Sequence, residues 1–173
     1  MVFFQAAFDS SFWVHACSLE IIDFLLHDYQ LLCTPAVEKE FRQANPTSLR
    51  LGALLSAGRI QRVAPPSVKT KLYGEGERAA INLALERQIV LLIDDWKPYQ
   101  AAKEAGVETI NSPVYLLSLY EREHISFENL LQALAKLSRR GTIKPGWIVS
   151  ALKMAAVLRS RSPKKGERRN EKD

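Results

Sequence analysis

The feature that most constrains this chain is the run Ile89-Val90-Leu91-Leu92-Ile93, apolar at every position and closed at once by Asp94-Asp95. A strand with one wet face alternates apolar and polar residues. A short run that is apolar throughout suits a strand covered on both faces, in the middle of a parallel sheet. Val2 to Phe8, apolar except at Gln5, is a second strand candidate of this kind, and it too ends on an acid, Asp9. Gln30 to Cys33, Ile60 to Val63 and Val107 to Ile110 are three further strand candidates.

Helical segments lie between these strands. Asp9-Ser10-Ser11 supplies capping residues for a segment from Phe12 to Leu26, in which Leu19, Ile22, Leu25 and Leu26 recur at helical spacing. Thr34-Pro35 opens a helix that is predicted to run to about Ala44, where Asn45-Pro46 stops it. Leu49 to Ser56 is a short helix, and a Pro65-Pro66 loop follows the third strand. Gly74 to Gln88 is a strong helix with Ala79, Ala80, Leu83, Ala84 and Leu85 as its apolar stripe. Pro98 to Ala105 is helical, and Asn111-Ser112-Pro113 caps the helix after the last strand. Phe127 to Leu137 and Trp147 to Leu158 are two further helices. Strand and helix in alternation predict an α/β fold, a three-layer α/β/α sandwich on a central parallel sheet, with extra C-terminal helices.

In such sheets ligands bind beyond the carboxyl ends of the strands. Asp9 and the Asp94-Asp95 pair both follow a strand directly, so they should meet at one edge. Carboxylates gathered there repel one another unless a cation joins them, and an all-oxygen donor set suits Mg2+ or Mn2+. Taken singly, Asp9 is an ordinary helix cap, and Asp94 or Asp95 an ordinary turn residue. Gly74-Glu75-Gly76-Glu77 is neither a dinucleotide fingerprint nor a phosphate-binding loop, because the third glycine and the Gly-Lys-Ser/Thr run are both missing. Acids at a helix start complement its dipole, and Glu77 in the first turn is also placed to face the strand-end acids. Glu38 and Glu40 sit in the first turns after Pro35 as alternatives to each other. The histidines, His15, His27 and His124, are scattered and read as surface or core residues.

The net charge of +5 and pI of about 9.3 favour a polyanionic partner without requiring one. Cys17 and Cys33 lack CxxC spacing and clustered histidines, which excludes a typical zinc site and leaves two buried thiols suited to a reducing cytosol. The first residues lack the basic region of a signal peptide, and no apolar run approaches the ~20 residues that span a bilayer. A cytoplasmic protein without a membrane segment is expected.

The chain resembles PIN-domain proteins, in particular a prokaryotic branch of VapC-toxin-like or uncharacterised PIN-like nucleic-acid-binding proteins. The resemblance rests on Asp9-Ser10-Ser11, on Thr34-Pro35-Ala36-Val37-Glu38-Lys39-Glu40-Phe41, on Gly74-Glu75-Gly76-Glu77 with the helix after it, and on Leu91-Leu92-Ile93-Asp94-Asp95. It continues through Ala101 to Val107 and covers roughly residues 3 to 135. Where that branch usually has Asp-Thr/Ser-Ser-Pro-Leu, this chain has Phe12-Trp13 in place of Pro-Leu. The resemblance implies a nuclease-like domain over residues 1–137. Beyond it the sequence predicts a helical extension over 138–158 and a basic tail over 159–173, almost devoid of apolar residues and expected to be disordered when free.

The resemblance further implies an acidic quartet of Asp9, Glu40, Glu77 and Asp95 for catalysis. Asp9, Glu77, Asp94 and Asp95 are the metal candidates, with Asp94 and Asp95 as alternatives for one place. Mg2+ or Mn2+ is the implied cofactor and RNA, single-stranded or structured, the implied substrate. Ser10, Ser11, Arg42, Trp96, Lys97 and Lys103 are candidate nucleic-acid contacts, with Trp96 equally able to serve as core. The implied activity is that of an endoribonuclease, as the toxin of a toxin–antitoxin pair with an antitoxin protein as partner, and a homodimer is expected by family analogy. The alternative is a PIN fold that binds nucleic acid or protein without cleaving. A phosphoryl-receiving regulator fits poorly, because it needs its acid pair near the first strand.

Overall fold

The computed structural model describes residues 4–64 and 74–161. The Pro65-Pro66 loop and the tail from residue 162 lie outside the described residues. Five parallel strands, β1 (Phe4–Phe8), β2 (Tyr29–Cys33), β3 (Ile60–Arg62), β4 (Val90–Leu92) and β5 (Thr109–Ile110), form one sheet in the order β3-β2-β1-β4-β5. The chain builds outward from β1 on one side and then returns to build on the other. The topological switch point therefore falls between β1 and β4, which pair in register from Ala6↔Val90 to Phe8↔Leu92. The two long apolar runs are the central pair, and Ala6, Ala7, Phe8, Leu91, Leu92 and Ile93 are all buried.

The helices that cover the sheet are α1 (Ser10–Ser18), α2 (Ile22–Asp28), α3 (Pro35–Glu40), α4 (Pro46–Ser56), α5 (Glu75–Arg87), α6 (Trp96–Glu104) and α7 (Ser112–Glu121). With α8 (Phe127–Arg140) and α9 (Pro145–Arg161) they make the α/β/α architecture with added C-terminal helices. Leu130, Leu134 and Leu137 of α8 and Ile148, Ala151 and Ala155 of α9 join the same core as the sheet.

Several boundaries differ from the sequence expectation, each for a local reason. The segment from Phe12 to Leu26 is two helices, because the chain turns at Glu20 with φ of 59°, a left-handed conformation that ends a helix. The helix after Pro35 ends at Glu40 and does not reach Ala44. Asn45 starts the next helix instead, accepting from Ser48 N–H while Ser48 Oγ accepts from Asn45 N–H, with Pro46 in the first turn. The last helix, α9, includes Arg159 to Arg161, past the end at Leu158 that the sequence predicts. The Arg159 guanidinium sits 4.3 Å from the centre of the Phe127 ring, and basic residues suit a helix's last turn.

Phe12 and Trp13, the departure from the family pattern, are both buried, and Trp13 stacks on Phe8 with centroids 5.3 Å apart. Cys17 and Cys33 are free thiols, and burial pushes them up to about 11 and about 12. At the amino end of β2, Asp28 accepts from both terminal nitrogens of Arg122, at 2.8 and 2.6 Å, and from the Tyr115 hydroxyl at 2.7 Å. Burial opposes ionisation of Asp28, but these donors outweigh it and hold its carboxyl below the usual range. No helix among the described residues is long and apolar enough to cross a membrane.

Candidate active site

The switch point is where the acids gather. The Asp9 N–H donates to Leu92 O at 3.1 Å, so the backbone that carries Asp9 is clamped directly beside the end of β4. Asp9 is buried and caps α1: Oδ1 accepts from Phe12 N–H at 2.8 Å and Oδ2 from Ser11 Oγ at 2.6 Å. Burial is the main force on its carboxyl, and neighbouring Asp94 and Glu77 add to it. Together they push it up to about 8 against the two hydrogen bonds. Among the described residues no Lys or Arg pairs with it. A buried acid is tolerated only if it is protonated or meets a cation.

The Asp94-Asp95 pair divides its duties. Asp94 is buried, and both of its oxygens are held by hydrogen bonds. Its Oδ1 accepts from Ser112 N–H at 2.7 Å, and its Oδ2 accepts from Ser112 Oγ at 2.5 Å and from His15 Nδ1 at 2.7 Å. A carboxylate only accepts, so the His15 proton is on Nδ1, and Nε2 lies 2.7 Å from the Thr142 hydroxyl. Asp95 is exposed and caps α6, accepting weakly from Lys97 N–H at 3.3 Å. Its carboxyl is therefore the freer of the two.

Glu77 and Glu40 complete the acidic edge. Glu77 is half-buried in the first turn of α5, and its carboxylate folds back over Gly74 at the helix cap. Burial comes first in raising the Glu77 carboxyl, and the charges of Glu40 and Asp95 add to it, against backbone hydrogen bonds from Glu77 and Gly74. Glu40 lies against the backbone of Gly76, where a Cβ would collide with its carboxylate. Glycine at position 76 is what lets α3 bring this acid so close to α5. Glu38 faces elsewhere, paired with Arg62 through two bonds of 2.6 and 2.7 Å.

The acids thus form a chain in which neighbours feel each other's charge: Asp94, Asp9, Glu77, then Glu40 and Asp95. Among the described residues no three His, Cys, Asp or Glu side chains converge closely enough to hold a metal ion by themselves. The donor chemistry still fits a hard cation. Mg2+ takes one or two carboxylates and fills its other positions with water, and Asp9 is a buried carboxyl with two acidic neighbours and, among the described residues, no Lys or Arg paired with it.

A family model described as a PIN domain matches residues 7–156. The chain belongs to the PIN-domain family. PIN domains are generally nucleases and generally use divalent metals. Among solved structures, this PIN domain is similar to a PilT N-terminus domain protein from the hyperthermophilic archaeon Sulfolobus solfataricus P2. The two are 22% identical, the match covers 62% of this chain and 86% of the other, and the TM-score is 0.44. No curated protein matches.

The remaining candidates are spread along the same edge or away from it. Ser11 holds Asp9, and Ser10 is half-buried in the first turn of α1. Arg42 is exposed in the loop after α3. Trp96 is half-buried in the first turn of α6, and Lys97 and Lys103 are exposed on that helix. The sequence reading missed His15, Ser112 and Thr142, the residues that hold Asp94. A signal for His15 was present: Ser11 and His15 are four apart, so both lie on the face of α1 that follows Asp9.

Proposed function

We propose that this PIN domain is a divalent-metal-dependent endoribonuclease whose acidic edge is Asp9, Glu40, Glu77 and Asp95, with Asp94 as a positioning residue. The observation that carries the reading is Asp9, a buried carboxyl at the switch point, pressed by neighbouring acids and lacking a positive partner among the described residues. Asp9 would hold Mg2+ or Mn2+, with Asp95 the next donor and Glu77 and Glu40 acting through water. A divalent ion there supplies charge that acidifies water and neutralises a phosphate under attack. Ser11 and the Phe12 N–H fix the Asp9 carboxyl, so it needs little reorganisation. His15 and Ser112 keep Asp94 turned into the protein, and its charge adds to the field that draws a cation to Asp9. Lys97 and Lys103, both exposed on α6, would take phosphates along the strand.

The toxin role, with an antitoxin as partner, belongs to the same proposal. Induction would then arrest growth, and a neighbouring gene product would relieve the arrest. A second reading, a PIN fold that binds RNA without cutting it, draws support from the lack of three converging ligands among the described residues. Cleavage of a mixed RNA pool with and without Mn2+ separates the two. The nuclease reading expects Mn2+-dependent cutting that Asp9→Asn with Asp95→Asn abolishes. Equal cutting by wild type and double variant would sink it.

A further inference from the structure

Beside the acidic edge lies a group of rings that the acid chemistry does not use. Trp96, Tyr99 and Trp147 are each half-buried and pack together. Trp96 and Tyr99 stack at 6.1 Å, and Trp147 meets them edge-on at 5.5 and 4.7 Å. Two lysines sit over these rings. Lys144 Nζ is 3.0 Å from the centre of the Trp96 ring, and Lys103 Nζ is 5.7 Å from that of Tyr99. Both lysines are exposed. Trp96, Tyr99 and Lys103 recur at i, i+3 and i+7 along one face of α6. Lys144 and Trp147 come from the turn between α8 and α9 and from the start of α9.

That turn is tied to the acids. Thr142 meets His15 Nε2, and His15 Nδ1 donates to Asp94. Trp96 follows Asp95 directly in the chain. The rings therefore hold a fixed position beside the acidic edge from both sides. Packing alone would dock α9 on α6 without cations, yet each lysine lies over a ring it can leave for a phosphate. Half-buried rings flanked by exposed cations are the elements of a single-strand binding surface: rings stack on bases, and lysines take phosphates. A duplex keeps its bases stacked on each other and offers the rings nothing.

We propose that Trp96, Tyr99 and Trp147, with Lys103 and Lys144, form a stacking subsite for single-stranded nucleic acid next to the acidic edge. It deepens the nuclease reading and rests on it, because it would hold the strand beside the bond to be cut. When a strand binds, Lys144 moves from the Trp96 face to a phosphate, and a base takes its place.

The test is binding of a labelled oligouridylate of about twelve nucleotides in EDTA, so that nothing is cut. Anisotropy of the label reports binding, and intrinsic tryptophan fluorescence reports contact. Trp13 is buried, so any quenching comes from Trp96 or Trp147. Binding should quench the fluorescence. The exposed pair Lys103→Ala and Lys144→Ala, which leaves the rings in place, should flatten the slope of log affinity against log salt by about 1.4, for two phosphate contacts on a single strand. Trp96→Leu should weaken binding by about tenfold, one stacked base. No binding, unchanged fluorescence at saturation, an unchanged salt slope in the lysine pair, or equal quenching by a duplex of the same length would each overturn the subsite. Mn2+-dependent cutting run alongside keeps the two ideas apart. Cutting without these binding effects rejects the subsite alone, whereas the binding effects without cutting reject the nuclease reading alone.

Discussion

Replacing Asp9 by Asn removes a buried ionisable carboxyl and keeps nearly everything else. Asn caps a helix as well as Asp does, and its Oδ1 can still accept from Phe12 N–H, which Asp9 does at 2.8 Å. Without metal, the folded protein raises the Asp9 carboxyl from 3.8 to about 8. A raised carboxyl stabilises the fold fully below the unfolded value. That contribution is then lost as pH climbs, and the loss is complete above the folded value. One unit is worth about 1.4 kcal/mol, so the whole shift corresponds to roughly 5–6 kcal/mol, an upper figure because local opening admits water. Urea unfolding of wild type and Asp9→Asn in EDTA, from pH 4 to pH 9, isolates this group by difference. The variant should gain on wild type steadily across that window, by at least about 1 kcal/mol. Mg2+ should narrow the gap at pH 8, stabilising wild type by mass action, about 2.7 kcal/mol at a hundredfold excess over its dissociation constant, and leaving the variant unmoved. A stability difference that stays flat with pH would refute the reasoning, because Asp9 would then ionise as freely folded as unfolded.

Other substitutions separate neighbouring roles. Asp94→Asn puts an amide donor against Ser112 and His15 and should cost about 1–3 kcal/mol in urea unfolding. Asp95→Asn should leave stability within about 0.5 kcal/mol, since the cap is kept, and should lower Mn2+-dependent cleavage. Gly76→Ala should fold, because only the flexible end of Glu40 has to move. Its cleavage should nevertheless fall to that of Glu40→Gln, as read on a labelled RNA. Asp28→Asn should weaken the fold at neutral pH and remove part of its acid sensitivity in urea titrations. The Asp28 contribution is present above the ordinary carboxylate range and is lost as pH falls through its lowered value.

The sheet was legible because its central strands are apolar on both faces and end in acid. Those two runs suffice to put Asp9 and Asp94-Asp95 at one edge of the sheet. The division of labour within the pair was not legible. What distinguishes Asp94 from Asp95 is contact with His15, 79 positions away, and with Ser112, which comes from the next strand's loop. Thr142 reaches His15 across 127 positions. Such pairings leave no local spacing to read. Glu38 and Glu40 lie two positions apart on α3 and so point to nearly opposite faces; which face meets the site is visible only in the fold, where Glu38 pairs with Arg62 of β3 and Glu40 lies against Gly76. The ring cluster was half-visible: Trp96, Tyr99 and Lys103 fall in one segment, while Lys144 and Trp147 arrive from a turn and a helix start in what the sequence reads as an appended extension. The misread helix end at Ala44 has the same origin as a correct reading. Asn45-Pro46 was seen as a stop signal, but the pair starts α4.

The acidic edge as a metal site is tested most directly by anomalous scattering from a crystal soaked in Mn2+. The account predicts a peak beside Asp9, within about 2.6 Å of its carboxylate oxygens and of at least one further acid of the edge or its bound water. Saturating Mn2+ with no peak at Asp9, or with peaks at other carboxylates alone, would contradict it.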